Sequence, residues 1–213
     1  MATLRFAKLH GTANDFIYVD ARAGFPGDPA ALATRLCHRR RGIGADGLIL
    51  LLPPSNGEAD CRMAIYNADG SRPEMCGNGI RGLAKFVHDR GLSRAEPLRV
   101  ETDAGVKTIH THASGRVARV TVDMGRPVWD GRRIPVAADG EVVERPLEVD
   151  GRPWAVTCVS MGNPHCVVFV DDDVAGLALA DLGPRFARHP FFPRGVNTAG
   201  PSDPYPMSTK PTT

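Results

Sequence analysis

A cysteine followed by Gly-Asn-Gly and then by a helical repeat constrains this chain more than any other stretch. Ile80, Leu83, Ala84 and Val87 fall at i, i+3, i+4 and i+7, and Gly91 can close the helix in a left-handed conformation. Cys76 is therefore expected beside the free N–H groups of a first helical turn. The positive end of the helix dipole favours a thiolate there and also suits a carboxylate. Gly77 and Gly79, on either side of Asn78, leave room for a ligand to lie against the backbone. The stretch predicts a sulphur that can attack or abstract a proton, next to an anion cradle.

The surrounding chain reads as strand-rich. Residues 5–9 and 16–19 read as two strands flanking a short polar loop over 10–15. Asp28-Pro29 opens a helix with an oxygen cap and a proline at its first position; Leu32, Arg35 and Leu36 continue it and Gly42 ends it. A loop over 42–47 feeds the apolar run 48–52, a strand closed by Pro53-Pro54, and 60–66 alternates as another. Beyond the central helix, 98–102, 106–112 and 117–124 read as three short strands. A second unit starts near Val120, with turns at Gly125-Arg126-Pro127, Asp130-Gly131 and Asp150-Gly151. Its strands are expected at 154–160 and 166–170, and a short helix over 173–182. The predicted organisation is a first lobe over 1–120, a partial second lobe over 121–198 and a proline-rich tail over 199–213 that is expected to be disordered.

Composition narrows the partners. Hydrophobic residues at 42%, charged residues at 23% and a net charge of +2 suit an ordinary globular protein and give no reason to expect nucleic acid. The basic run His38-Arg39-Arg40-Arg41 has no interleaved aromatics and reads first as solvated surface, then as carboxylate binding. No apolar run reaches the length of a membrane span and the opening residues lack a secretion pattern, so a cytoplasmic protein without membrane contact is expected. The five cysteines show no CxxC spacing and fit free thiols in a reducing compartment.

Of the other cysteines, Cys37, Cys61 and Cys158 read as small apolar filler. His165-Cys166 lacks the second well-spaced pair that zinc needs. His165, placed in a turn, is open between a hydrogen bond to substrate and a structural role. Asn14, Asn67, Asn78, Asn163 and Asn197 each fall in or beside a Gly- or Pro-containing connection. Together they offer uncharged donors and acceptors for an amino-acid head group without quenching a nearby thiolate. There is no Ser-His-Asp set with a nucleophile elbow, and Gly42-Ile43-Gly44 lacks the spacing of a dinucleotide fingerprint.

These stretches are similar to the diaminopimelate epimerase family. The matching blocks are Lys8-Leu9-His10-Gly11-Thr12-Ala13-Asn14-Asp15-Phe16, Gly42-Ile43-Gly44-Ala45-Asp46-Gly47, Tyr66-Asn67-Ala68-Asp69-Gly70-Ser71, Glu74-Met75-Cys76-Gly77-Asn78-Gly79-Ile80-Arg81, Met161-Gly162-Asn163-Pro164-His165-Cys166 and Phe192-Pro193-Arg194-Gly195-Val196-Asn197. The resemblance implies an α+β fold of two pseudo-symmetric lobes, each a curved mixed β-sheet or barrel around a central helix, here with the second lobe incomplete. It implies inversion of L,L-diaminopimelate to the meso form for lysine and peptidoglycan precursor synthesis, with neither pyridoxal phosphate nor metal. A homodimer is compatible with it. On this resemblance Cys76 is one of two acid/base cysteines, and Asn14, Asn67, Asn163 and Asn197 bind substrate. Gly77 and Asn78 cradle the reacting carboxylate, with His165 in support. Gly47 stands where the family often has glutamine.

The match breaks after Asn197. The family pattern continues with a Glu-Arg pair and an Ala-Cys-Gly-Thr-Gly block carrying the partner cysteine, whereas this sequence reads Thr198-Ala199-Gly200-Pro201. A truncated or frame-shifted member unable to epimerise alone is therefore expected. The alternatives are a related cofactor-independent racemase acting on another amino acid such as proline, or a non-catalytic amino-acid-binding module.

Overall fold

The run Leu48-Ile49-Leu50-Leu51-Leu52 has no polar face because the strand it forms is covered on both sides. Strand β3 (Gly47–Leu52) lies between β2 (Asn14–Asp20), to which it is parallel, and β4 (Cys61–Asn67), to which it is antiparallel. Ile49 and Leu51 join Phe16, Tyr18, Met63 and Ile65 in one core, and Leu48 and Leu50 join Ile17, Val19 and Ala64 in another. Helix α2 (Gly77–Asp89) supplies Ile80, Leu83, Ala84, Phe86 and Val87 to the first core. Helix α1 (Pro29–Cys37) supplies Ala33 and Cys37 to the second. The alternation of side chains along three adjacent strands thus places one helix on each face.

The computed structural model describes residues 3–170 and 176–199. The chain divides into two compact units, Met1–Gly125 and Arg126–Thr213. In the first, a seven-stranded mixed sheet runs in chain order from β1 (Ala7–Gly11) through β5 (Leu98–Thr102) and β6 (Gly105–Ser114) to β7 (Arg116–Asp123). Val120 and Val122 of β7 pack on the α2 core, so the unit extends past the boundary expected at residue 120. The second unit holds a four-stranded sheet of β8 (Arg145–Val149), β9 (Arg152–Ser160), β10 (Pro164–Val168) and β11 (Asn197–Ala199), with helix α3 (Leu179–Ala187). The whole is α+β, with mixed curled sheets and few helices. Among the described residues no helix is long and apolar enough to cross a membrane.

Local chemistry sets the helix ends. Asp28 caps α1, accepting from Ala30 N and Ala31 N, and Pro29 occupies the first turn. The helix ends at Cys37 rather than running on to Gly42, and the His38 ring takes the N–H groups of Arg40 and Arg41 in the turn that follows. Helix α2 closes with Leu92 N on Val87 O and Gly91 N on His88 O, with Gly91 at φ +63°, the double bond pattern of a Schellman cap.

The loop expected over 10–15 is a hairpin turn of only Thr12 and Ala13, both at positive φ, so Asn14 is the first residue of β2. Residues Pro164 and His165 belong to β10 rather than to the preceding turn, because His165 pairs with Val159 and Asn197. The helix of the second unit lies over Leu179–Ala187, past Gly183 and through Pro184. It forms because Phe186 packs edge-on to Trp154, ring centres 5.7 Å apart. Residues 173–175 of the helix expected over 173–182 lie outside the described residues. Ala199 pairs in β11 with Val167 and is not part of a tail, and 200–213 also lie outside the described residues.

Candidate active site

Cys76 is the N-cap of α2. Its backbone is extended, its Sγ accepts from Gly79 N at 3.4 Å, and its carbonyl accepts from Ile80 N at 2.9 Å. The N–H groups of Gly77 and Asn78, at the first two helical positions, have no partner within the helix and are available to an anion. Two glycines of the helix lie close against the sheet. A Cβ on Gly79 would sit 2.7 Å from Ile49 Cδ1, and one on Gly82 would overlap the Tyr18 hydroxyl. Tyr18, buried, donates to Gly79 O at 3.1 Å and so ties the first turn of α2 to the sheet. Burial, and after it the neighbouring Cys76, push the Tyr18 phenol far above its ordinary value, so it stays a donor.

Two of the predicted site residues, Asn14 and Asn78, gather beside the Cys76 sulphur. Asn14 Oδ1 lies 3.9 Å from Cys76 Sγ and accepts from Asn78 Nδ2 at 3.5 Å. Asn14 Nδ2 donates to Asp46 Oδ2 at 2.7 Å, and Arg81 Nη2 donates to Asn78 Oδ1. Asn67 ends β4 opposite Gly47, and Ala68 N next to it donates to Asp46 O at 3.0 Å. Its own amide is taken by Ser71 Oγ at 2.9 Å. A Cβ at Gly47 would stand 2.7 Å from Tyr66 O, so glycine there is set by strand packing.

Asp46 and Arg81 were not among the residues that sequence reasoning selected. Arg39, from the basic run read as solvated surface, binds this chain's own carboxylates, Asp15 Oδ1 at 2.8 Å and Asp46 Oδ1 at 2.7 Å. Its guanidinium, with Lys8, holds the Asp15 carboxyl far below the usual range against the opposing effect of desolvation. Proximity of Arg39 to two aspartates some distance away in sequence carries no periodic signal, which is why it escaped notice.

In the second unit, Asn163, His165 and Asn197 gather at the start of β10. Asn163 Oδ1 accepts from His165 Nε2 at 3.0 Å, and Asn197, the parallel partner of His165, donates to Pro164 O at 3.4 Å. Burial lowers the His165 pKa and favours its neutral ring.

All five cysteines are free thiols. Burial pushes Cys37 up to about 11 and Cys61 up to about 12. Cys158 and Cys166 face each other across β9 and β10, both buried. The Cys158 sulphur, and then burial, push the Cys166 thiol well above its ordinary range. Of the five, only Cys76 is both partly exposed and at a helix start.

The first unit is a curled mixed sheet packed on a helix capped by a free cysteine, a fold shared with solved racemases and epimerases. The same fold occurs in a hydroxyproline epimerase from Agrobacterium vitis, with a TM-score of 0.64 and 17% identity over 90% of this chain and 64% of that one. It occurs also in a probable proline racemase from Agrobacterium radiobacter K84, with a TM-score of 0.67 and 17% identity over 91% of this chain and 65% of that one. The chain belongs to the diaminopimelate epimerase family, whose model matches residues 6–129. It is 52% identical over 197 residues to the diaminopimelate epimerase of Moorella thermoacetica, covering 91% of this chain and 70% of that protein. It is 50% identical over 201 residues to diaminopimelate epimerase 1 of Nostoc sp., covering 92% of this chain and 70% of that protein.

Proposed function

We propose that these residues form the first-cysteine half of a site that inverts one α-carbon of diaminopimelate without an organic cofactor. Cys76 is the acid/base on one face of that carbon. Inversion requires removal of a proton from one face and delivery to the other, which a single side chain cannot reach, so a second acid/base must stand opposite. The carbanion formed in between spreads its charge onto the α-carboxylate. The free N–H groups of Gly77 and Asn78 at the start of α2 are suited to hold that charge. Asn14, Asn67, Asn163 and Asn197 are assigned to the substrate's ammonium and carboxylate groups, with His165 in support. Free thiols throughout suit a reducing, cytoplasmic setting.

The observation that carries this reading is the placement of the Cys76 sulphur, capping α2 through Gly79 N–H beside two unused helix N–H groups. Cys158 and Cys166, in paired strands and buried, are poor candidates for the opposite acid/base. These 213 residues are therefore expected to bind diaminopimelate without inverting it. Calorimetric titration of the purified chain with diaminopimelate, beside a chiral assay of L,L-to-meso conversion, tests both halves. Binding weakened by Asn14→Leu with no conversion is the expected result. Conversion at ordinary enzymatic rates by the chain alone, or in a Cys76→Ala variant, would overturn the assignment.

A further inference from the structure

We propose that Asp46 and Arg81 are positioning residues that fix the direction of the Asn14 and Asn78 amides, and so present a hydrogen-bond acceptor to the Cys76 sulphur. The inference rests on the reading of Cys76 as a proton-transfer group and concerns how both of its protonation states are supported.

Five side chains make a polar chain whose sense is dictated at both ends. A carboxylate only accepts and a guanidinium only donates, whereas a primary amide presents one face of each kind. Asp46 Oδ2 takes Asn14 Nδ2 at 2.7 Å, and Asp46 Oδ1 is held by Arg39 at 2.7 Å. At the far end Arg81 donates to Asn78 Oδ1. Between these ends, Asn78 Nδ2 is left facing Asn14 Oδ1 at 3.5 Å. Turning over the Asn14 amide would set its oxygen against the Asp46 carboxylate and its NH2 against that of Asn78. Turning over Asn78 would set its NH2 against Arg81. Each amide orientation is therefore enforced by an ion.

The consequence falls on the sulphur. Cys76 Sγ has the Gly79 N–H on one side at 3.4 Å and Asn14 Oδ1 on the other at 3.9 Å. The N–H supports a thiolate, and the amide oxygen accepts from a thiol S–H. A group that must alternate between base and acid thus has a partner in either state. An Asn14 amide free to turn would offer its NH2 instead, and the thiolate alone would be supported. The other ionisable groups around the sulphur are Tyr18 on β2, Arg81 on α2 and the Asp15–Arg39–Asp46 cluster. Among these, the test below alters only Asp46.

The test is the pH profile of Cys76 alkylation by iodoacetamide in the folded 213-residue chain, quantified at the Cys76 peptide by mass spectrometry. Asp46→Ala, which leaves no acceptor for Asn14 Nδ2, is expected to move the midpoint to lower pH by about half a unit to one unit, the size of a single lost hydrogen bond to the thiol state. Removing the Asp46 charge would act in the same direction through space. The variant is therefore also made in an Asn14→Leu background, where the shift is expected to disappear. Equal shifts in both backgrounds, or none in either, would overturn the positioning role while leaving Cys76 as the reactive thiol. No alkylation of Cys76 in the folded chain would overturn both readings. Should Asp46→Ala fail to fold, Asp46→Ser, whose side chain ends one atom short of the carboxylate oxygens, carries the same cycle.

Discussion

Gly82→Ala sets two opposed effects against each other on one helix. By propensity alone, alanine in the middle of α2 should stabilise it by about 1 kcal/mol. Packing opposes this. A Cβ at Gly82 overlaps the Tyr18 hydroxyl and stands 2.6 Å from Tyr18 Cζ. Tyr18 has little room to retreat, since it is 1% exposed, stacks on Phe86 with ring centres 6.0 Å apart and meets Phe16 edge-on at 6.4 Å. Overpacking of this kind costs about 1–3 kcal/mol. Displacing the ring also breaks the Tyr18–Gly79 bond and leaves a buried hydroxyl unpaired, at about 1–3 kcal/mol.

The loss wins, with a net destabilisation of about 2–3 kcal/mol, or roughly 30- to 140-fold in the opening equilibrium at 1.4 kcal/mol per decade. Cys61 reports it, because it is buried in the same core as Tyr18 and Leu83 and reacts only when that core opens. Its alkylation rate under native conditions should rise by that factor in Gly82→Ala. Adding Tyr18→Phe to Gly82→Ala should recover part of the loss, since the atom nearest the new methyl is removed. A Gly82→Ala chain that labels Cys61 as slowly as the parent, or more slowly, would refute the packing argument.

Two further expectations concern pH. Hydrogen bonding from Arg39 depresses the Asp15 pKa, so this pair contributes stability above the unfolded carboxyl's value of about 4, lost only as the pH falls through the depressed folded value. Arg39→Gln should therefore move acid unfolding to higher pH, followed by far-ultraviolet circular dichroism, and an unchanged midpoint would count against the pair. Burial lowers the His165 pKa, so the folded state binds the proton less readily than the unfolded chain does. Stability is then complete above the unfolded value of 6.5 and declines as the pH falls below it. Urea unfolding followed by the fluorescence of Trp129 and Trp154 should show this decline, and His165→Gln should flatten it.

The parts of the fold legible in the sequence are those where one side chain decides the outcome. Asp28-Pro29 announces α1, and the spacing of Ile80, Leu83, Ala84 and Val87 with Gly91 announces α2. What escaped depends on distant partners. Thr12 and Ala13 adopt positive φ without being glycine, because the register of β1 with β2 allows only two residues between them. Gly183-Pro184 reads as a helix breaker, yet Phe186 packed on Trp154 carries α3 through it. Asn14, Cys76 and Asn78 could be chosen by residue type and turn context. Asp46 and Arg81 could not, since their part comes from which faces of two amides they touch.

The order of strands in the first sheet has a further consequence. Each of β2 to β7 lies beside the strand that precedes it in the chain, and the two parallel steps, β2 to β3 and β4 to β5, are bridged by α1 and α2. A strand emerging from the ribosome therefore meets a neighbour that has already been made, and no closure must wait for distant residues. Short-range pairing of this sort favours rapid assembly. It also means that a nascent chain can carry the Cys76 turn on a finished platform before the second unit has been synthesised.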